Sequence, residues 1–537
     1  MTKTRRWPAY LVVLALAIGF ELGLLFFDRI SVNAMIVPDS VETWIVSLWS
    51  PVEKILGQIP FDVDPPSSEN EKLACFLGGH AWLHVLFFIA ILVVEFGLPR
   101  SDRPLLGFLV VTSLIFRLSL VPFPPILETD LHRYILDGAV LANGVSPFKY
   151  SPSEILESVP LSTRQSLPEN EARELEVLHQ VIRADPLLNA HFSRVNHKEI
   201  RTIYPPLTQM LFAVSYHIQP TSQEMWKLIN GLIDFAVFLL IVLYLYLTGS
   251  NLNRCVIYGW APVVLKEFSN TGHHDPIAVV MSLIAIWYIH RGHRMVGGAF
   301  IGLGILGKIY PAVFLVVFHR KLGIRGVVTT VMIVILGYSP FLVSGGFGRS
   351  FHGLSAFGNN WESNSSLFAL CEKVVWRVTY GKDPEPIRSD DSTDPAAAVR
   401  SMPFGLTRAQ FVRRTVRLFL GGILFLILLW RARHPQDSLE DLLRSSLIAV
   451  GSVVLFSPVA LPWYFCWALP YAVVFPRSSF LYLIMSVNLY YVYFWIPPGG
   501  AFGYKPWIRA VEYVPFYALL IRDLWVERVR RIAPDEG

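Results

Sequence analysis

The sequence predicts an all-α fold, a polytopic transmembrane helical bundle of about twelve spans with two re-entrant elements. Three observations lead to this prediction. Hydrophobic residues make up 53% of the 537 residues and charged residues only 16%, apolar runs of membrane length recur along the whole chain, and the Lys and Arg residues form short clusters between those runs. The run 232–248 is apolar on every side, whereas a soluble amphipathic helix would carry a polar stripe.

Composition also narrows the classes of partner and ligand. The net charge is +5, and because the basic residues lie in short clusters between apolar runs, no nucleic-acid partner is expected. Residues 1–27 resemble a signal peptide but lack a small-residue cleavage site, so we interpret 8–27 as a retained first helix. The cysteines are far apart and show no CxxC spacing, which favours neither a disulfide framework nor a metal site. They are Cys75, Cys255, Cys371 and Cys466.

The predicted spans follow the apolar runs. They are 8–27, 81–98, 104–122, 226–248, 254–269, 276–290, 326–344, 414–430, 443–459, 463–476, 478–496 and 509–525. Two more apolar stretches, 206–218 and 295–318, fit a full crossing less well. If every short basic cluster is cytoplasmic, as the positive-inside rule indicates, each stretch must begin and end on the same side. We therefore expect half-penetrating elements around a cavity, because irregular backbone survives at membrane depth only inside protein or beside water.

The same orientation predicts one integral membrane domain over 1–537, with large non-cytoplasmic loops at 123–205 and 345–412. Lys308 then lies at the apex of the second re-entrant element. The most unusual polar segments gather on the outer side or dip into the membrane, and they are 128–148, 204–206, 270–275, 359–366 and 461–464. Several loops that converge on one face are typical of a binding or catalytic site.

The segment 128–148 (ETDLHRYILDGAVLANGVSPF) follows the third span and is rich in ionisable side chains. If it is helical, Asp130, Arg133 and Asp137 fall near one face. Carboxylates at a membrane surface can act as a general base toward a substrate hydroxyl. The alternative is a solvated loop in which Thr129 or Asp130 caps a helix.

The NTGHHDP segment at 270–276 places His273, His274 and Asp275 between two spans. Such side chains occur at zinc sites, but adjacent histidines rarely bind one metal and no HExxH-like spacing is present. We therefore favour contacts to a phosphate or a sugar, with a plain polar turn as the alternative. Lys308, in GKIYP, lies within an apolar stretch, where an ionisable group is a functional candidate unless it snorkels to the interface.

In IYPPLTQ at 203–209, Pro205 and Pro206 break or start a helix, and Tyr204 suits the membrane interface. Two further segments, NNWESNSSLF at 359–368 and LPWYF at 461–465, together supply Trp, Tyr and Asn side chains. Aromatic faces stack on the C–H surfaces of sugars, and amides bond their hydroxyls. A helix start and an interfacial aromatic belt without a ligand are the alternative interpretation. The candidate residues are Tyr204, Trp361, Asn364, Trp463 and Tyr464.

In chain order these motifs form a set that consists of Asp130, Arg133-Tyr134, Asp137-Gly138, Gly144, Pro147-Phe148, Tyr204-Pro205-Pro206, Gly272-His273-His274-Asp275, Lys308-Ile309-Tyr310-Pro311, Trp361, Asn364-Ser365-Ser366 and Pro462-Trp463-Tyr464. The set resembles the GT-C superfamily of membrane glycosyltransferases, in particular bacterial polyprenyl-phosphate-mannose-dependent mannosyltransferases. The resemblance extends from about residue 104 to residue 476.

The resemblance implies that a hexose, with mannose expected, passes with inversion from a polyprenyl-phosphate donor to a hydroxyl of a glycan or glycolipid acceptor. The expected location is the non-cytoplasmic face of a bacterial inner membrane. The catalytic carboxylate of the family corresponds to Asp130, with Glu128 as the second candidate. Phosphate contacts are expected from Arg133, His273, His274 and Lys308. Contacts to the sugar or the acceptor are expected from Asp137, Tyr204, Asp275, Trp361, Asn364, Trp463 and Tyr464.

No cofactor is required by this chemistry, although the carboxylates are compatible with a divalent cation. A polar insert at 160–200 departs from the simplest family pattern, so the acceptor stays open. A transporter or flippase is the alternative from another class, but no internal repeat is found and the polar residues gather on one face rather than at the midplane. A ligase or polymerase of surface glycans, which uses the same lipid-phosphate chemistry, is the third interpretation.

Fusion reporters test the predicted orientation. A reporter that works only outside the cytoplasm should be active when inserted within 160–200 or 380–400, because both segments are expected outside. The same reporter near Arg291 or Arg433 should be inactive. The measurement is reporter activity normalised to expression, and an inactive fusion within 380–400 would show that 295–318 is not re-entrant.

Overall fold

A computed structural model describes residues 7–31, 69–156, 167–381, 407–494 and 506–532. Within these ranges the regular structure is helical, apart from an isolated β-bridge between Ser363 and Val459. The all-α polytopic class predicted from the sequence is confirmed. Parts of the two predicted outer loops, 157–166 and 382–406, lie outside the described residues.

The helices are numbered in chain order. They are α1 Trp7–Ser31, α2 Glu69–Leu92, α3 Arg103–Ser119, α4 Asp130–Ala142, α5 Pro152–Leu156, α6 Glu169–Ala184, α7 Pro186–Ser193, α8 Pro206–Ile218, α9 Gln223–Leu247, α10 Val256–Gly259, α11 Pro262–Val264, α12 Pro276–His290, α13 Arg294–Gly307, α14 Val313–Val317, α15 His319–Asn360, α16 Leu367–Tyr380, α17 Arg408–Arg433, α18 Leu439–Phe456, α19 Pro462–Phe465, α20 Leu469–Val474, α21 Ser478–Ser486 and α22 Pro506–Ile532. Short π or 3₁₀ segments adjoin them at Val93–Gly97, Leu252–Cys255, Leu265–Asn270, Tyr310–Ala312 and Val487–Phe494.

Several helices have the length and surface of membrane spans. Among the described residues, five are long and apolar enough to cross a bilayer, at Pro8–Leu25, Asn70–Gly97, Gln223–Leu247, His319–Asn359 and Arg408–Arg433. Large apolar side chains point outward from them, such as Val343 on α15 at 88% exposure and Leu418 on α17 at 79%. A water-facing surface avoids such patches and a lipid-facing surface favours them. The chain is therefore an integral membrane protein.

Two predicted spans, 254–269 and 463–476, are not continuous helices, which corrects the expectation. The first consists of a 3₁₀ turn, α10, α11 and a π-helical stretch, and the second of α19 and α20. Pro262 and Pro462 begin new pieces, because proline has no N–H to donate and its ring clashes with the preceding turn. Most residues of both segments are buried, so protein rather than lipid surrounds their irregular backbone.

The two predicted re-entrant elements are a short helix and a broken helix. The helix α8 is about 20 Å long, too short for a hydrocarbon core of about 30 Å. The stretch 295–318 divides at Lys308, which is extended with φ −160° and ψ 148° after the end of α13, and α14 follows a 3₁₀ turn. The depth to which either element enters the bilayer stays a prediction.

A buried ion pair ties three elements together at the centre of the bundle. The Arg117 guanidinium on α3 lies 2.8 Å from Asp234 on α9, and both side chains are at most 1% exposed. Tyr258 on α10 donates to the other Asp234 oxygen, and Arg117 also donates to the Gly259 carbonyl at 3.1 Å. Both Asp234 oxygens accept hydrogen bonds, and the Arg117 Nε and Nη1 atoms both donate, so opposite charge and hydrogen bonds stabilise this pair away from water.

The polar insert forms α6 and α7, and both helices are attached to the rest of the fold. Arg349 on α15 contacts Glu171 on α6 at 2.8 Å. His132 on α4 and His191 on α7 meet at 2.8 Å through their Nδ1 atoms. Burial lowers the pKa of His132 to about 3 and that of His191 to about 4, so the neutral pair can share a hydrogen bond. The insert is thereby fixed to α4, the helix that begins with Asp130.

Gly138 lies where α4 crosses α8, and its missing side chain permits the close approach. A β-carbon there would lie 2.6 Å from the carbonyl oxygen of Phe212. Gly138→Ala should therefore lower the free energy of unfolding by about 1–3 kcal/mol, the usual effect of overpacking. The measurement is the thermal unfolding midpoint of the purified protein in detergent.

Gly107→Ala on α3 is the matched control for this substitution, because nothing lies within 4 Å of its β-carbon. Alanine favours a helix over glycine, so this variant should keep or raise the midpoint. Indistinguishable midpoints for the two variants would contradict the close crossing of α4 and α8.

Candidate active site

The candidate site lies where α4 begins, beside the turn between α11 and α12. Asp130 is the first residue of α4. The chain before it is held by Asn270, whose side chain accepts from the Ile126 N–H at 3.0 Å and donates to the Pro124 carbonyl at 3.0 Å. The two chain segments are therefore fixed to each other.

Gly272 shapes the turn that carries the two histidines. Its φ is +72°, and a β-carbon there would lie 2.9 Å from Leu131 Cδ1 and 3.1 Å from the Trp226 ring. From α9, Trp226 donates to the Gly272 carbonyl at 2.8 Å and Asn230 donates to the His273 carbonyl at 2.9 Å. Side chains of α9 thus hold the backbone carbonyls of the turn, so the histidine side chains are left for other contacts.

His273 joins two carboxylates. Its Nε2 lies 3.9 Å from Asp130 Oδ2, and its Nδ1 lies 2.9 Å from Glu267 Oε2. Trp463 stacks on the imidazole with ring centroids 3.8 Å apart. The Asp130 side chain is 37% exposed, whereas His273 and Glu267 are buried. Asp130 is therefore the accessible end of a buried ionic row.

The two adjacent histidines have opposite electrostatic environments. Burial alone would lower the pKa of His273, but the hydrogen bond and charge of Glu267, with Asp130 and Glu128, raise it above its usual value. Burial and the charge of Lys308 lower the pKa of His274 well below its usual value. The site thus favours a cationic His273 beside a neutral His274.

Glu128 lies close to the charges of Lys266 and His273, but its carboxyl group is less accessible than that of Asp130. The residue as a whole is half-buried, yet one of its carboxylate oxygens is buried without a hydrogen-bond partner among the described residues. Burial raises its pKa to about 8, against the opposing charges of Lys266 and His273. With Glu128 protonated, the anionic Asp130 and Glu267 balance the cationic Lys266 and His273. Lys266 itself contacts Glu267 at 3.2 Å.

A second ion pair lies on the other side of the turn. Lys308, at the end of α13, contacts Asp275 at 2.6 Å, and the Trp467 indole donates to the same carboxylate oxygen. The ammonium lies 4.9 Å from the ring centroid of Tyr464 and 5.2 Å from that of Trp467. Lys308 is 17% exposed, so its charge sits at the edge of the protein interior within an aromatic surround.

Arg133 and Asp137 pair with each other, one turn apart on α4, at 2.7 Å. Asp137 also accepts from Gln209 on α8 at 2.9 Å, and Arg133 donates to a carbonyl of the insert at 3.0 Å. Tyr204 packs edge-on against His274 with centroids 4.9 Å apart. These side chains form the wall behind the histidine turn and join it to the insert.

The contacts of Trp361 and Asn364 are with other parts of the chain than the histidine turn. Trp361, just after α15, packs edge-on against His197, with centroids 4.8 Å apart. Asn364 is 2% exposed, has φ 47° and donates to Glu512 on α22 at 2.9 Å. The neighbouring Ser363 pairs with Val459, just before α19. Asn364 is therefore turned into the bundle, whereas Trp361 faces the chain that follows α7.

Within the described part of the chain, no group of three or more His, Cys, Asp or Glu side chains is arranged to hold a metal ion. The buried Glu267 carboxylate instead contacts Lys266 and His273. That no cofactor is required, and that the site is compatible with a divalent cation, both stay untested predictions.

The structure brings most of the candidate residues around the histidine turn, in four contacting groups. Asp130, His273 and Trp463 form one, and the others are Asp275 with Lys308 and Tyr464, Arg133 with Asp137, and Tyr204 with His274. Sequence reasoning missed Lys266, Glu267 and Trp467. The available signal was the charged pair Lys266-Glu267 inside an apolar run, where ionisable residues are costly.

Comparison with known families gives two matches. The chain matches the model of glycosyltransferase family 87 over residues 202–458 and the model of the MptB C-terminal domain over residues 399–522. The first match includes the histidine turn, Lys308 and Trp361 but begins after α4. No curated protein and no solved structure matches the chain significantly. The predicted resemblance to the GT-C superfamily is confirmed, and the chain is a membrane glycosyltransferase of the GT-C type.

Proposed function

We propose that this glycosyltransferase moves a hexose, specifically mannose, from a polyprenyl-phosphate donor to an acceptor hydroxyl of a glycan or glycolipid. The transfer inverts the anomeric centre and takes place on the non-cytoplasmic face of a bacterial inner membrane. The observation that carries the proposal is the accessible Asp130 carboxylate at the end of the buried row through His273 to Glu267. A polar site within an apolar bundle suits a donor with a charged head and an apolar tail.

Asp130 is the general base in this mechanism. It accepts the proton of the acceptor hydroxyl while the hydroxyl oxygen attacks the anomeric carbon, and the bond from that carbon to the phosphate oxygen breaks. The bonding electrons leave with the polyprenyl phosphate, so a single displacement inverts the centre. Geometry favours Asp130 over Glu128, because the base must reach the acceptor and the Glu128 carboxyl is partly buried with a pKa of about 8.

The leaving phosphate gains negative charge and needs a cation placed in advance. His273 suits this role because Glu267 raises its pKa. Lys308 suits it too, since its ammonium is partly exposed and can exchange part of its contact with Asp275 for a phosphate oxygen. Neutral His274 can offer a hydrogen bond but no charge.

The sugar is assigned to the aromatic side of the turn. Trp463, stacked on His273, and Tyr464, beside Lys308, lie next to both proposed cations, and Trp361 contributes a further aromatic face. Aromatic faces pack on the C–H surfaces of a hexose. Asn364 and Asp137 are buried in contacts with other side chains, so in this proposal they position the walls of the site.

Replacing the proposed base should remove catalysis and leave donor binding. A general base contributes about 10²–10⁴-fold to rate, so Asp130→Asn should reduce transfer by a factor in that range. The measurement is transfer of radiolabelled sugar from the lipid donor by the purified protein, beside donor binding by the same preparation.

Glu128→Gln is the matched control, because it removes an ionisable carboxyl two residues away that is already protonated near neutral pH. It should retain most of the transfer rate. Full activity of Asp130→Asn, together with loss of activity in Glu128→Gln, would move the base to Glu128. Full activity of both variants would remove the main support for this mechanism.

Replacing Glu267 should change the pH dependence of transfer. Glu267→Gln removes the charge that raises the pKa of His273, so the pKa should fall under the effect of burial. Because the cationic form is the proposed active form, the decline of the transfer rate with rising pH should begin at a lower pH. The measurement is the pH profile of the rate at saturating donor.

Glu372→Gln is the control for the charge change, since Glu372 on α16 is a partly buried carboxylate paired with Arg413 at 2.9 Å, outside the site. Its pH profile should match that of the unmodified protein. A Glu267→Gln profile that also matches would refute the cationic role of His273.

A further inference from the structure

A cleft of about 450 Å³ opens between α18, α21 and α22, away from the candidate active site. Its walls are mainly apolar and include Leu447, Phe475, Phe480 and Leu520. Trp430 and Leu524 also line it and are 53% and 52% exposed, as lipid-facing side chains are. The cleft is therefore open to the surface that meets the membrane.

The arginine end of the cleft lies toward the opposite end of two helices that reach the active-site region. On α18, about 18 Å of helix separates Arg444 from Phe456, which precedes the α19 loop, and the apolar wall of the cleft continues along α18 as far as Leu455. On α22, about 22 Å of helix separates Glu512, the partner of Asn364, from Glu527 in the cleft. This distance sets the arginine end of the cleft apart from the site proposed for glycosyl transfer.

The groups that line the cleft carry more positive than negative charge, although Glu440 and Asp523 lie beside Arg444 and Arg477 outside the lining. Its charged groups are the guanidinium groups of Arg444, Arg477 and Arg528 and the single carboxylate of Glu527. Glu527 pairs with both Arg444 and Arg477, and Glu440 adds a weaker contact to Arg444 at 3.4 Å. Two guanidinium groups that share one carboxylate have donors left for another anion.

We infer that this cleft binds an anionic phospholipid, with the phosphate at the arginine end and the acyl chains along the apolar wall. Arginine recognises phosphate through paired N–H donors, and basic pockets between membrane helices on the cytoplasmic side are suited to anionic lipid heads. The predicted orientation places Arg431–Arg433, Arg477 and Arg528 on that side, where anionic lipid is available.

The shape of the cleft selects a lipid over a free anion. A bare phosphate ion would fill a small part of 450 Å³ and would leave the apolar wall without a partner. An acyl chain covers that wall, and the exposed Trp430 and Leu524 allow it to enter from the bilayer. The inference does not depend on the identity of the sugar or on the proposed mechanism.

Native mass spectrometry of the full-length protein in mild detergent tests the inference. The protein is titrated with phosphatidylglycerol or phosphatidylcholine, and bound lipid is counted. Phosphatidylglycerol should be retained at least fivefold more than phosphatidylcholine. Arg477→Gln should lower that retention at least fivefold, and Ser452→Leu, which fills the wall without changing charge, should lower it as much. Arg433→Gln, an exposed arginine near the same end of the bundle that does not line the cleft, should leave it unchanged.

Equal retention of the two lipids would overturn the inference. If Ser452→Leu remains monodisperse and does not change the retention of phosphatidylglycerol, the inference is also overturned. Ser452→Leu removes no ion pair, so the test stays decisive even if Arg477→Gln disturbs folding. Displacement of phosphatidylglycerol by millimolar inorganic phosphate would identify a free-anion site and would also overturn it. Since the readout is bound lipid, failure here leaves the proposed glycosyl transfer untouched.

Discussion

Neutralisation of buried charge is the constraint on which the rest of the structure depends. An ionised side chain away from water is unstable unless an opposite charge and hydrogen bonds surround it. In this bundle the partners come from different elements, as Arg117 and Asp234 do, or Asp275 and Lys308. Each pair therefore neutralises its own charges and also holds two helices in a fixed relative position. The same requirement explains why the active-site turn is held by α9 through backbone carbonyls, which leaves its side chains to balance one another.

Irregular backbone is the second requirement of such a site. A continuous helix directs its polar backbone groups into its own hydrogen bonds, so it cannot offer a turn like that at Gly272. The short helices that begin at Pro262 and Pro462 place turns and side chains inside the protein instead. Their burial among longer helices keeps lipid away from the exposed backbone groups. The polar centre thus depends on the broken helices, because their turns place its backbone and side-chain groups inside the protein.

The sequence was sufficient for the fold class, for the short helix at 206–218 and for the break at Lys308, because hydropathy, charge placement and proline act locally. It was misleading at 254–269, where an apolar run of spanning length proved to be a chain of short helices. The length of an apolar run reports burial but cannot distinguish burial in lipid from burial in protein. Glu267 was missed for the same reason, since that run was interpreted as a span despite the charged pair Lys266-Glu267 near its end. The partners of Asp130 and Asn364 come from distant parts of the chain, and no local pattern could identify them.

Three carboxylates of similar intrinsic acidity have different environments in the site, and those differences, rather than residue type, define their roles. Glu267 is buried against Lys266 and His273 and so remains a fixed charge. Glu128 is partly buried without a matching cation of its own, and its pKa of about 8 keeps it protonated near neutral pH. If it were ionised as well, three anions would face two cations at close range, and repulsion would oppose any donor phosphate. Its proton therefore keeps the group neutral, and in the proposed mechanism Asp130, the accessible member, then takes the proton of the incoming hydroxyl.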